Sequence, residues 1–338
     1  MHILTFTGDR FEIGAKMGRT FREHVVAGCL DARQNPPPLS KTECQEHLVV
    51  AMHLTQRVIP HIWEELRGIA TGAGVPLPDL VLSLYEDLWD SEDFETGCTD
   101  IAADRTATAD GRLLMGHNND EGCESPTPYL LRLAPTGGPV VTGVALGGVG
   151  FSVGVNDWGL VLMGNQVSAK DVKPGIPRIL LVRAALEQPN LAAALDLLLH
   201  PLRSSSYNNV VGDTSGKVVS VEGSGSKART LTPTKNGILT HTNHYLHPEM
   251  QVIEGKGDMR STTLREQRSC QMLTEMAGQH TVTTFQKVLR DHRGYPNSIC
   301  RHSEDTITGF SVICEAEKRM LWFGKGFPCQ ATYLPVRY

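Results

Sequence analysis

Apolar residues recur every three or four positions through the first hundred residues of the chain. Beyond that point they alternate at every second position. In "DRFEIGAKMGRTFREHVVAGCL", following a short first strand, Phe11, Ile13, Met17, Phe21 and Val25 form a helical stripe that Pro36 to Pro38 end. A second helix is predicted from Lys41, with Leu48, Met52, Val58, Ile62, Leu66 and Ile69 as its apolar face and Pro60 as a kink. "PLPDLVLSLYEDLWD" predicts a third, with Asp79 as N-cap. Strands follow. "TDIAADRTATADGRLLMGHN" reads as two, joined at Ala109-Asp110-Gly111, and "YLLRLAP", "VVTGVALGG" and "GFSVGVNDWGLVLMGNQV" continue them, with a turn at Asn156-Asp157 and Gly159. Helix pairs are predicted over about 177–202 and 261–292, with strands at "NNVVGDTSGKVVSVEGS" and "KNGILTHTN" between them and a closing hairpin in "TGFSVICEAEKRMLWFGKG". Blocks of sheet separated by helix pairs imply an α+β fold with helices outside sheets. The one sharp change of composition is "SEDFETG" at 91–97, dividing a helical segment, 1–97, from a sheet-rich unit, 98–338.

Composition narrows the partners. The chain has 338 residues, 40% hydrophobic and 20% charged, with a formal net charge of −5 and no basic block. Nucleic acid and anionic membranes are therefore not its expected partners. No secretory signal or transmembrane-length apolar run stands out, and the expected compartment is the cytoplasm. The eight cysteines show no Cys-x-x-Cys, so neither a disulfide framework nor a zinc ribbon is indicated, and Cys314 in "FSVICEA" reads as strand core. His241, His244 and His247 would need a helix to share a metal, but Thr242, Tyr245 and Pro248 predict strand and turn, so no metal is assigned. "GGVGFSVG" lacks a following helix and an acidic ribose partner, and no cofactor is expected.

Cys98 fits none of the bland roles. It follows Gly97 in a polar stretch, flanked by Glu95, Thr96, Thr99 and Asp100, where core packing does not explain a thiol. A cysteine is a strong nucleophile only as thiolate, and its free pKa is about 8.5. A cut between Gly97 and Cys98 would make Cys98 an N-terminus whose own amine, with a pKa of roughly 7.7–8.0, can act as base. Glycine before the cut tolerates a strained backbone. The acidic residues of "DSEDFETG", Asp90, Glu92, Asp93 and Glu95, would cover the thiol until cleavage.

"GCTD" at 97–100, "GHNND" at 116–120, "VNDWGLVLMGN" at 155–165, "HTNHY" at 241–245 and "SICRH" at 298–302 occur in the order seen in one family. "FEIGAKMGRTF" and "STTLREQR" at 261–268 add weaker agreement. The chain resembles the N-terminal-nucleophile (Ntn) hydrolases related to acyl-coenzyme A:6-aminopenicillanic acid acyltransferase. That resemblance implies a four-layer αββα sandwich, self-cleavage before Cys98, and chemistry on an amide or thioester. It implies Cys98 as nucleophile, Asp120 holding the new amine, Asn243 and Asn165 donating to the oxyanion, and Arg301 organising the nucleophile and the acid. His117 and His244 are the candidate substrate contacts. His117 stands where bile-salt hydrolases and penicillin V acylases typically carry arginine, and those enzymes lack the long leading segment, which argues against bile-salt chemistry. The implied partners are a small amide or thioester and the protein's own two cleaved chains; a homo-oligomer is compatible with both. Hydrolysis of a small linear amide is the preferred reading. Acyl transfer to an amine, or an idle Ntn-fold binding module, are the alternatives.

Overall fold

Alternation along single strands sets the layering. On β7 (Leu160–Asn165), Leu160 and Leu162 enter a core shared with helices, whereas Val161 and Met163 enter one shared with a second sheet. β2 (Gly97–Ala103) of that second sheet divides likewise, with Ala102 turned inward and Ile101 and Ala103 outward onto helices. Sheets with two apolar faces need cover on both, and the result is four layers, αββα. The computed structural model describes residues 3–89, 97–146, 150–151, 153–205, 207–255 and 257–338. The expected acidic cover at 90–96 and part of the glycine run lie outside them.

Among the described residues one sheet has eight strands in the order β1-β4-β5-β6-β7-β8-β9-β10. These are Ile3–Gly8, Pro128–Pro135, Val141–Leu146, Val153–Asn156, Leu160–Asn165, Asn208–Asp213, Val218–Gly223 and Ala228–Leu231. The other has six in the order β11-β2-β3-β12-β13-β14, where β11 is Ile238–His241, β3 Leu114–Gly122, β12 Thr306–Glu315, β13 Met320–Lys325 and β14 Leu334–Arg337. Helices α1 (Arg10–Thr20), α2 (Arg22–Gln34), α3 (Lys41–Val58), α4 (Pro60–Ala73) and α5 (Leu77–Ser83), with α6 (Arg178–Ala185) and α7 (Leu191–Leu198), contribute to the core on the eight-stranded sheet. The short α8 (Pro248–Gln251) follows β11, and α9 (Arg260–Glu275) and α10 (Val282–Leu289) cover the six-stranded sheet.

Several expectations change in detail. Pro60 does not kink one helix: α3 ends at Val58 with Ile59 as its cap, and Pro60 opens α4 at a position where its missing N–H costs nothing. Asp79 lies inside the first turn of α5, and Pro76 precedes that helix. β2 and β3 are joined by ten residues, 104–113, rather than a tight turn. β10, β14 and α8 carry too few residues for the periodicity to show.

The segment 1–97 is more than a helical cover. Its β1 pairs in parallel with β4 and forms the edge of the eight-stranded sheet. In α1, Gly14 and Gly18 lie against α4 so closely that a Cβ would meet the carbonyl oxygens of Glu65 and Ile69 at 2.0 and 2.2 Å. Gly68 and Gly72 make reciprocal approaches to Phe11 and Ala15, so the two helices cross backbone to backbone. A buried charge cluster ties this segment onward. Arg183 of α6 donates to Glu65 of α4 at 2.9 Å, and Arg10 of α1 pairs with Glu187.

Candidate active site

β2 carries Cys98 opposite Asn119 of β3, with Gly97 opposite Asp120. Gly97, Cys98, Asn119, Asp120 and Asn243 line a cavity of about 670 Å³. Val144, Phe151, Ile179 and Phe310 form much of its apolar wall, and Asp31, Leu84 and Trp89 of the leading segment close another side. The substrate-sized space is thus shared between the two parts of the chain.

Polar contacts converge on the peptide units around Cys98. Its N–H donates to Asn243 Oδ1 at 2.9 Å, and its carbonyl accepts from Arg265 Nη1. Arg265 also donates to Thr99 Oγ1 at 3.0 Å and to Asn243 Oδ1 at 2.7 Å. Asn243 Nδ2 donates to the Gln166 carbonyl at 2.8 Å, so donors meet its oxygen and an acceptor meets its nitrogen. The Cys98 thiol donates to Asn119 Oδ1 at 3.6 Å, and Asn119 donates in turn to Glu121. Burial, together with Asp100, Asp120 and Glu121, pushes the thiol well above its ordinary pKa, with Arg265 opposing. In the continuous chain the sulfur is therefore held as a thiol.

The structure gives a different reason for Gly97 than backbone strain. Its φ is not in the left-handed region, but a Cβ would lie 2.8 Å from Arg265 Nη2 and 3.2 Å from Asn243 Oδ1. Glycine lets those two side chains reach the peptide.

Asp120 accepts from Thr308 Oγ1 at 2.7 Å and lies 3.9 Å from Arg301 Nη1, while its Oδ2 is buried with no hydrogen-bond partner. Burial outweighs both Arg265 and Arg301 and lifts the Asp120 carboxyl above its usual range. Arg301 meets the acid, but Arg265 is the arginine on Cys98.

Besides Arg301, three expected residues lie off the cavity wall. Asn165 is fully buried and donates to the His241 carbonyl at 3.2 Å while accepting from Asn208 at 2.7 Å. His117 is fully buried, 2.6 Å from Asp100 and 3.4 Å from Asn119 Oδ1, and braces the nucleophile's neighbour rather than facing the cavity. His244 turns to Thr262 Oγ1 at 2.8 Å. Nor do the three spaced histidines converge: His241 meets Glu222, and His247 caps α8.

His244 supplies a pH prediction. Burial, then His241 and Arg265, lowers its pKa from 6.5 to about 4. The unfolded chain then binds the proton more readily, so stability present above pH 6.5 is lost as pH falls toward 4. Urea unfolding of wild type and His244→Gln across that window is expected to show a flatter pH dependence for the variant.

Motif order in "STTLREQR" assigns Arg265 no role. The available signal was its place on the buried stripe of α9, with Thr262, Ser269, Met272 and Leu273, where an arginine needs acceptors.

Comparisons with known proteins bear on the family and the fold. Residues 106–327 match the family model described as acyl-coenzyme A:6-aminopenicillanic acid acyl-transferase, a match that begins eight residues after Cys98. No curated protein matches the sequence. The N-acylethanolamine-hydrolyzing acid amidase ortholog of Caenorhabditis elegans superimposes with a TM-score of 0.50 at 16% identity, over 65% of this chain and 93% of that one. Penicillin V acylase from Agrobacterium tumefaciens gives 0.51 at 10% identity, over 71% and 86%. At such identities the likeness speaks for the fold, which is that of the Ntn hydrolases. By its family match and its fold, the chain belongs to the acyl-coenzyme A:6-aminopenicillanic acid acyl-transferase family of Ntn-hydrolase enzymes, which act on amide bonds.

Proposed function

We propose that the chain cuts itself between Gly97 and Cys98 and that the freed Cys98 hydrolyses a small linear amide, N-acyl or aminoacyl, through a thioester. One observation carries this reading. Asn243 and Arg265 hold the N–H and carbonyl of Cys98 at the cavity, while Asp120, opposite Gly97, keeps a buried oxygen without a donor. A new ammonium at Cys98 would supply what that carboxylate lacks.

In the cutting step the Cys98 sulfur attacks the Gly97 carbonyl carbon, and the C–N bond breaks as its nitrogen takes the thiol proton. Water then hydrolyses the resulting thioester, leaving Gly97 as a carboxylate and Cys98 with a free amine. In turnover that amine takes the thiol proton and the sulfur attacks the substrate carbonyl. Asn243 stabilises the oxyanion, the leaving amine collects the proton, and water releases the acid. The segment 1–97 stays bound to 98–338 through β1 and the buried Arg183–Glu65 pair. A cytoplasmic setting belongs to the proposal, supported by eight cysteines that the structure leaves as free thiols. Among the described residues no helix is long and apolar enough to cross a membrane.

Acyl transfer is the second reading, favoured by the description of the family itself. Both routes share the thioester and differ in what attacks it, water or an amine positioned to compete with water. The test supplies a turned-over amide with rising amounts of its own amine product or of hydroxylamine, and follows free acid against transferred product. Free acid is expected to dominate until the amine is concentrated. Capture of most of the acyl group by a physiological amine at low concentration, or acyl-coenzyme A proving the better donor, would make the enzyme a transferase.

A further inference from the structure

We propose that His292, His302 and Cys329 form a binding site for a divalent transition metal, with zinc the best fit, and that the metal clamps the loop carrying Arg301. The three side chains come from separate parts of the chain: just after α10, just before β12, and after β13. Even so, their ligating atoms all lie within 4.8 Å of one another. Zinc bonds of about 2.0–2.3 Å in a tetrahedron place ligand atoms roughly 3.5 Å apart, so about an ångström of side-chain rotation completes the site. Two imidazoles and a thiolate are a donor set suited to zinc, and the fourth position is left for water.

The backbone that presents these ligands is already fixed. Arg268 pairs with Asp291, beside His292, at 2.8 Å. Arg290 donates to the carbonyls of Pro328 and Ala331, at 2.8 and 3.1 Å, and so holds the segment bearing Cys329 against the end of α10. The Cys300 N–H donates to the Asp291 carbonyl at 3.0 Å, and the His302 ring packs among His292, Tyr295 and Phe327. Bonds holding three segments in register before any metal arrives reduce the ordering cost of binding. Ring packing brings His292 and His302 together, and the half-buried Cys329 thiol, beside Cys300, lies close enough to join them.

The clamp has a consequence for the catalytic centre. Arg301 sits between Cys300 and His302, its backbone is tied to Thr308, and its side chain lies beside Asp120. A metal on His302 would restrain that loop without touching Cys98, so metal binding can be tested whether or not Cys98 is the nucleophile.

Untagged full-length protein, stripped with chelator, is titrated with cobalt(II) and then zinc(II), in wild type and in a Cys98→Ala background. One equivalent of cobalt is expected to bind in both, with the intense visible bands of tetrahedral coordination and a thiolate charge-transfer band, and zinc should displace it. His292→Gln and Cys329→Ser should each weaken binding by at least the roughly 100-fold seen for loss of outer-shell partners. Cys44→Ser, at a free thiol on α3 away from these segments, should leave it unchanged. Circular dichroism of each stripped variant confirms that it is folded. No stoichiometric cobalt binding by wild type, binding that both ligand variants retain, or binding lost only with Cys98→Ala would each overturn the proposal.

Discussion

Active wild-type protein is expected to yield two masses on denaturing analysis, for residues 1–97 and 98–338, and one complex under native conditions. Cys98→Ala should yield a single intact mass and no amide turnover. The chemistry of the bond predicts the first result. The peptide between Gly97 and Cys98 has an adjacent sulfur, an amide oxygen and an arginine fixed around it, and a glycine without which those two side chains could not approach. Alanine removes the sulfur while leaving both hydrogen bonds to the backbone of residue 98, so the variant should fold. The two pieces should remain together because β1 is hydrogen-bonded into the eight-stranded sheet, and separating them would strip the buried Arg183 of Glu65. Breaking a buried ion pair costs about 3–5 kcal/mol. A single intact mass from a fully active preparation would refute self-cleavage, and substantial turnover by Cys98→Ala would refute the nucleophile as well.

Asn243→Ala is expected to lower kcat per cleaved chain by roughly 10²–10³, with KM changed little, as for loss of an oxyanion donor. Its nitrogen donates to the Gln166 carbonyl and its residue lines the cavity, leaving a second amide hydrogen for the developing charge. Its oxygen meanwhile accepts from Cys98 and Arg265, so the variant should also cut itself more slowly. Steady-state kinetics on the processed fraction separates the two effects. A change confined to KM would make Asn243 a residue that binds substrate rather than the transition state.

Much of this protein was legible along the chain because its signals are local. Strand alternation and helical stripes depend on neighbours within a few residues, and they placed nearly all the long elements and put helices outside sheets, while the αββα order came from the family resemblance. Cys98 stood out because a thiol in a polar stretch after glycine contradicts its usual company. Ordered motifs pointed to Asp120 and Asn243, and the fold carries both to the cavity with Cys98.

Other assignments turned on which side of a strand faces which layer, and spacing alone does not specify that. His117 and Asn119 share a face of β3, yet Asn119 reaches the cavity while His117, one pair deeper, is buried against Asp100. Asn165 lies at the end of β7, where Asn208 and His241 consume its amide. Arg265 comes from a helix 167 residues away from Cys98, and only the packing of α9 on β2 makes it the arginine of the nucleophile. The sequence by itself determined the elements, the family and the unusual cysteine, through short-range periodicity and motif order. The tertiary structure alone decided which polar groups meet at that cysteine, because a buried charge or amide is placed by distant partners that can satisfy it.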